Sequence, residues 1–154
     1  MASPFDLRSA LLARHAQHVV LVHFPIALTM TAIVFEWVAV WRPGSRASAL
    51  AEAAYWNLTV AAAASVAAVA TGLLAWRWQL DGAPLRGILL MHALLGGASA
   101  GTILLLWAMR VRQRARLDQS RGWLYFALTV VVFALVALTG HLGGFVSGVN
   151  TAVN

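Results

Sequence analysis

The chain has 154 residues, 61% of them hydrophobic and only 10% charged, whereas a soluble domain carries charge on about a quarter of its residues. It has no cysteine, which excludes disulfides, thiolate metal sites, Cys-held iron–sulfur clusters and covalent c-type haem attachment. The net charge of +6 rests on 11 basic residues, all arginine. They stand in the gaps between apolar runs, which marks membrane topology and gives no reason to expect a nucleic-acid partner.

Residues 1–14 form a short, mildly amphipathic lead, with Phe5, Leu7, Leu11 and Leu12 beside Asp6, Arg8 and Arg14, suited to a membrane interface. The run that follows is too long for the core of a cleaved signal peptide. Four apolar runs predict transmembrane helices over about 17–41, 54–77, 86–110 and 122–146. Pro43-Gly44 ends the first run, Asp81-Gly82 and Pro84 separate the second from the third, and a basic link precedes the fourth. Short links between such runs predict an all-α, up-down four-helix bundle in one transmembrane domain over 1–154. The two halves resemble each other only in each being a hairpin.

Orientation follows from the arginines. Arg42 and Arg46 lie in the first link, and Arg110, Arg112, Arg114, Arg116 and Arg121 in the third. The lead and the second link hold only Arg8, Arg14, Arg77 and Arg86. The positive-inside rule therefore places the first and third links in the cytoplasm and both termini on the outer side. This predicts a multi-pass protein of a bacterial cytoplasmic (inner) membrane, with its termini in the periplasm. Trp37, Trp41, Trp56, Trp107 and Trp123 near one set of span ends, and Trp76 and Trp78 near the other, match interfacial aromatic belts.

The five histidines, His15, His18, His23, His92 and His141, all fall in the outer half of this topology. His23, His92 and His141 lie roughly 7–10 Å inside their span ends, on three different helices. Ionisable residues inside a membrane are costly and usually functional. Neutral imidazoles ligate haem iron, copper or zinc, so this set is the candidate cofactor or metal site, with His18 in reserve. His18 and His23 are about 140° apart around a helix and cannot share a narrow face. Pro25 cannot donate to the Leu21 carbonyl, so the first helix is expected to bend below His23. Gly96, Gly97 and Gly101 near His92, and Gly140, Gly143 and Gly144 near His141, would give a porphyrin room. Arg77 and Arg86 stand where its propionates would emerge. Each feature also has a plainer reading: histidines as hydrogen-bonded register pins, glycines as close helix contacts, and arginines as interfacial anchors. Glu36 is expected to ion-pair with loop arginines, although a proton path to the histidines is conceivable. No nucleophile triad, carboxylate pair or phosphate loop is present, which argues against hydrolysis and phosphoryl transfer.

The run His18-Val-Val-Leu-Val-His23-Phe24-Pro25-Ile26-Ala27-Leu28 resembles the opening of a bacterial four-span membrane family, domain of unknown function 2231 (DUF2231). The resemblance continues at Thr71-Gly72-Leu73-Leu74-Ala75-Trp76, at His92, and at Gly140-His141-Leu142-Gly143-Gly144, touching all four spans. It implies a four-helix membrane domain. Relatives beside Rieske or cytochrome domains imply redox work. Two departures stand out: the family often has an acidic residue where Ala75 stands, and an aromatic and a further His where this chain has Phe145-Val-Ser-Gly148.

The leading expectation is a b-type haem protein that passes electrons between the quinone pool and a periplasmic redox partner, without catalysis in the strict sense. Haem would be held among His23, His92, His141 and His18, with Arg77, Arg86, Gly97 and Gly140 around it. A copper or zinc protein using His23, His92 and His141 is one alternative. A cofactor-free assembly subunit or homo-oligomer in a larger membrane complex is the other.

Overall fold

The computed structural model describes residues 14–42, 44–115 and 122–147. Residues 1–13 of the expected interfacial lead, Arg116, Arg121 and the side chains of Arg14 and His15 lie outside the described residues. The chain forms α1 (Arg14–Val40), α2 (Ser45–Gln79), α3 (Gly87–Ala115) and α4 (Trp123–Val146). Each is long and apolar enough to cross a membrane, and the described residues contain no strand. A helix satisfies its own backbone polar groups in hydrocarbon, so runs rich in Leu and Ala settle there as helices. α1 continues through Pro25, which is buried.

Two helices overrun their expected spans. α2 begins at Ser45 rather than near 54, and α3 runs on to Ala115 rather than stopping near 110. Apolar patterning marks where hydrocarbon ends, whereas a helix ends where its backbone loses its bonding. The extensions brace each other. Arg114 ion-pairs with Glu52 and its guanidinium lies 4.3 Å from the Tyr55 ring centroid, while Trp56 donates to Glu52 at 2.8 Å.

Packing is closest within the hairpins α1–α2 and α3–α4, looser between α2 and α3, and sparsest between α1 and α4. The buried positions of α2 and α4 follow alternating steps of three and four, the pattern of a packed helix seam. On α2 they are Ala54, Leu58, Ala61, Ser65 and Ala68, and on α4 Tyr125, Thr129, Val132 and Val136. One constant shift carries Ala54 onto Tyr125, Leu58 onto Thr129, Ala61 onto Val132 and Ser65 onto Val136. The other two helices obey the same rule: Pro25, Thr29, Ala32 and Glu36 on α1 correspond to Ser99, Ile103, Leu106 and Arg110 on α3, and all are buried. The halves are thus two copies of one packing pattern, a closer likeness than their shared hairpin shape.

Glu36 and Arg110 occupy equivalent places on α1 and α3 and meet across the bundle diagonal, Arg110 Nε donating to Glu36 Oε1 at 3.0 Å. Arg110 is therefore a core residue and not part of a loop: Glu36 pairs with an arginine, as expected, but inside the bundle. Tyr125, Leu106 and Val132 are buried in the same core. Beside it, Trp37 donates to Thr129 at 3.0 Å and meets Phe126 edge to face. The pair should act as a lock at the arginine-rich end. Breaking it by Glu36→Ala or Arg110→Ala should cost about 3–5 kcal/mol, because each leaves an uncompensated buried charge. The double replacement Glu36→Met/Arg110→Met should cost clearly less than the sum. Denaturation of the detergent-solubilised protein measures both.

Candidate functional site

At the other end the hairpins separate around a cavity of about 300 Å³, at the lower limit for small-molecule sites. Its floor is set by Ser65 of α2 and Ile103 of α3, and its walls carry Val22, Pro25 and Ile26 of α1, Val69 and Leu73 of α2, Ala93 and Gly97 of α3, and Val136 and Thr139 of α4. Leu80 and Leu85, in the α2–α3 turn, reach it from above. That turn passes through the left-handed region at Asp81 (φ 47°) and Gly82 (φ 64°). It is tied down by Trp76, another wall residue, whose indole N–H donates to the Ala83 carbonyl at 2.9 Å.

Among the described residues two histidines line this cavity, His18 from α1 and His92 from α3. They are equivalent under the shift that relates the hairpins, and each lies on the buried stripe of its helix. Each packs on a glycine of its hairpin partner. A Cβ added to Gly72 would come within 3.0 Å of His18 Cε1, and one added to Gly143 within 3.2 Å of His92 Cε1. Gly72 and Gly143 are themselves equivalent under the α2-to-α4 shift. The site is therefore built twice, once per hairpin, and its two copies meet across the cavity.

His18 is hydrogen-bonded to the hydroxyl of Thr71 on α2. The Thr71 hydroxyl has one proton and directs it to the carbonyls of Ala67 and Ala68, at 3.0 and 3.1 Å. Towards His18 Nδ1, 3.1 Å away, the hydroxyl can then only accept. In the tautomer that donates from Nδ1, the lone pair would stand on Nε2, the arrangement in which a polar partner at one ring nitrogen prepares the other to ligate. In the second hairpin, Ser99 and Thr139 hydrogen-bond at 2.9 Å beside the cavity. The ring of His92 lies against α4 beside the Thr139 backbone carbonyl, and its buried Nδ1 makes no bond of full hydrogen-bond geometry there.

The other expected site residues divide. Gly97 lines the cavity. Gly140 does not; it admits Ile26, whose Cδ1 would lie 3.4 Å from an added Cβ, and so serves the contact between α1 and α4. His23 is exposed and bonds through Nδ1 to the Val19 carbonyl of its own helix at 2.6 Å. His141 is exposed and stacks edge to face on Phe145. Neither lines the cavity, and among the described residues no three His, Asp or Glu side chains cluster as a metal site. Arg77 and Arg86 are exposed at this end of the bundle, outside the cavity lining. Ala75, where the resembled family often has an acidic residue, is a wall residue.

Shared depth placed His23, His92 and His141 together in the sequence, but depth says nothing about direction. Direction was encoded in the polar residues. Thr29 and Glu36 must turn inward in a membrane, and steps of three and four residues carry their stripe back to His18. Ser99 and Arg110 do the same for His92. The two glycine cradles give a stability test. Gly72→Ala and Gly143→Ala should each destabilise the protein by displacing an imidazole. Gly101→Ala, where an added Cβ meets nothing within 4 Å, should be neutral or stabilising by up to about 1 kcal/mol. Thermal unfolding in detergent compares the three.

The sequence pattern of one family, described as "predicted membrane protein (DUF2231)", matches residues 14–151 and so takes in every helix described above. No curated protein and no solved structure matches the chain. A match of that extent, on a chain with four membrane-spanning helices, means that this protein belongs to the DUF2231 family of membrane proteins.

Proposed function

We propose that this protein binds b-type haem inside the membrane and passes electrons between quinol and a redox partner on the outer side. One observation carries the reading: His18 and His92, from opposite hairpins, line a single apolar cavity. Bis-imidazole ligation needs two histidines facing one ligand from different helices, and a bundle interior supplies that arrangement. The donor set fits a porphyrin better than a bare metal ion. A porphyrin brings four nitrogen ligands of its own and asks the protein for two more, whereas zinc asks for three or four protein ligands.

Haem held here supplies one-electron chemistry. The chain's own residues do the rest. Thr71 hydrogen-bonds to His18 Nδ1 and so orients the ring, and a proton on Nδ1 would make Nε2 the donor atom. Gly72 and Gly143 let the two imidazoles sit close against the helix backbones. The aliphatic walls exclude water, a condition that tunes the potential of a bound haem. The cavity lies at the end of the bundle remote from Arg42, Arg46, Arg110, Arg112 and Arg114. The positive-inside rule turns that arginine-rich end to the cytoplasm, so the proposed site sits near the periplasmic face of a bacterial inner membrane.

The test is absorption spectroscopy of protein expressed with ample haem and purified in detergent, beside a metal assay. A Soret band and a sharp α-band on dithionite reduction are expected. His18→Ala and His92→Ala should each abolish the six-coordinate spectrum, while His23→Ala and His141→Ala retain it. A folded preparation without a Soret band would overturn the proposal.

A further inference from the structure

We propose that the cavity receives its ligand from the lipid hydrocarbon, through the seam between α2 and α3. The ligand's identity rests on the haem reading; the route rests on which walls of the cavity are closed.

Below, Trp107 of α3 donates to Thr59 of α2 at 3.3 Å, and deeper still the Glu36–Arg110 pair crosses the bundle. Above, the α2–α3 turn is held over the cavity by the Trp76–Ala83 bond, with Leu80 and Leu85 facing in. Within each hairpin, His18 fills the space at Gly72 and His92 the space at Gly143.

Two seams between hairpins remain, α1–α4 and α2–α3, and the internal repeat makes them directly comparable. At α1–α4, the more sparsely packed seam along its whole length, Ile26 packs on Gly140 and closes the gap at that level. Under the same shifts Ile26 becomes Ala100 and Gly140 becomes Val69. The small side chain now stands on α3 with a short branched one opposite, and both residues line the cavity. The next positions outward repeat the contrast: Val19 and His23 on α1 correspond to Ala93 and Gly97 on α3. A Cβ added at Gly97 would meet nothing within 4 Å. Along this seam Leu73 is 60% exposed although it is a wall residue, so the cavity wall is continuous with the lipid-facing surface. An aliphatic mouth set within the span admits a flat, largely apolar molecule dissolved in the bilayer and repels a hydrated one.

Gly97→Phe is expected to plug this mouth, since its Cβ meets no neighbour within 4 Å, and Gly101→Phe, whose Cβ is equally free but which lies outside the cavity lining, is its control. The protein is reconstituted in bilayers of phospholipid brominated on its acyl chains, and the quenching of Trp76 is taken as the difference between each protein and its Trp76→Phe counterpart. Haem loading from haem-doped vesicles is timed in parallel. The expected result is that Trp76 is quenched in the parent and in Gly101→Phe, and that this quenching is lost in Gly97→Phe. Haem loading should slow by about tenfold or more in Gly97→Phe alone. Quenching of Trp76 that Gly97→Phe leaves intact, no quenching in the parent, or unaltered loading would each overturn the route. Quenching that depends on position 97 in a protein that takes up no haem would uphold the route and sink the haem reading.

Discussion

Hydrocarbon offers no partner to a polar side chain, and this constraint orients every helix of the bundle. Thr29, Glu36, Ser65, Ser99, Arg110 and Thr129 are all buried, and each marks the inward face of its helix. Once those faces are fixed, steps of three and four residues carry each stripe along the span. At one end the stripes of α1 and α3 bring Glu36 and Arg110 together. At the other they bring His18 and His92 to one cavity. The closed end and the open end follow from one packing rule applied twice.

The fold was legible because apolar content is a statement about solvent. Four runs of adequate length, broken by Pro43-Gly44, Asp81-Gly82 and the basic link, became four helices. The starts and ends of α2 and α3 were less legible. Ser45 to Ala53 and Val111 to Ala115 carry polar residues, yet remain helical, with Arg114 braced against Glu52 and against Tyr55 at the edge of the apolar segment.

The site was legible in part. His92 and Gly97 were expected there and line the cavity, and His18, held in reserve, joins them. His23 and His141 share their depth but not their direction. His23 is about 140° around α1 from His18, while His141 lies two residues short of Gly143, the position that faces His92. With apolar side chains on every face, hydrophobic periodicity could not set rotation. The sparse polar residues could, and so could the repeat that pairs Gly72 with Gly143. That repeat also sets the contrast between the two seams at this level, Ile26 against Gly140 in one and Ala100 with Val69 in the other.

The central claim is that His18 and His92 hold one ligand between two equivalent hairpins. Low-temperature paramagnetic resonance of the oxidised, haem-loaded protein tests it most directly, with His18→Gly and His92→Gly examined before and after free imidazole is added. The account predicts a low-spin signal in the parent, its replacement by a high-spin signal in both variants, and return of the low-spin signal with imidazole. A low-spin signal that survives both replacements and is lost instead in His23→Gly or His141→Gly would contradict it.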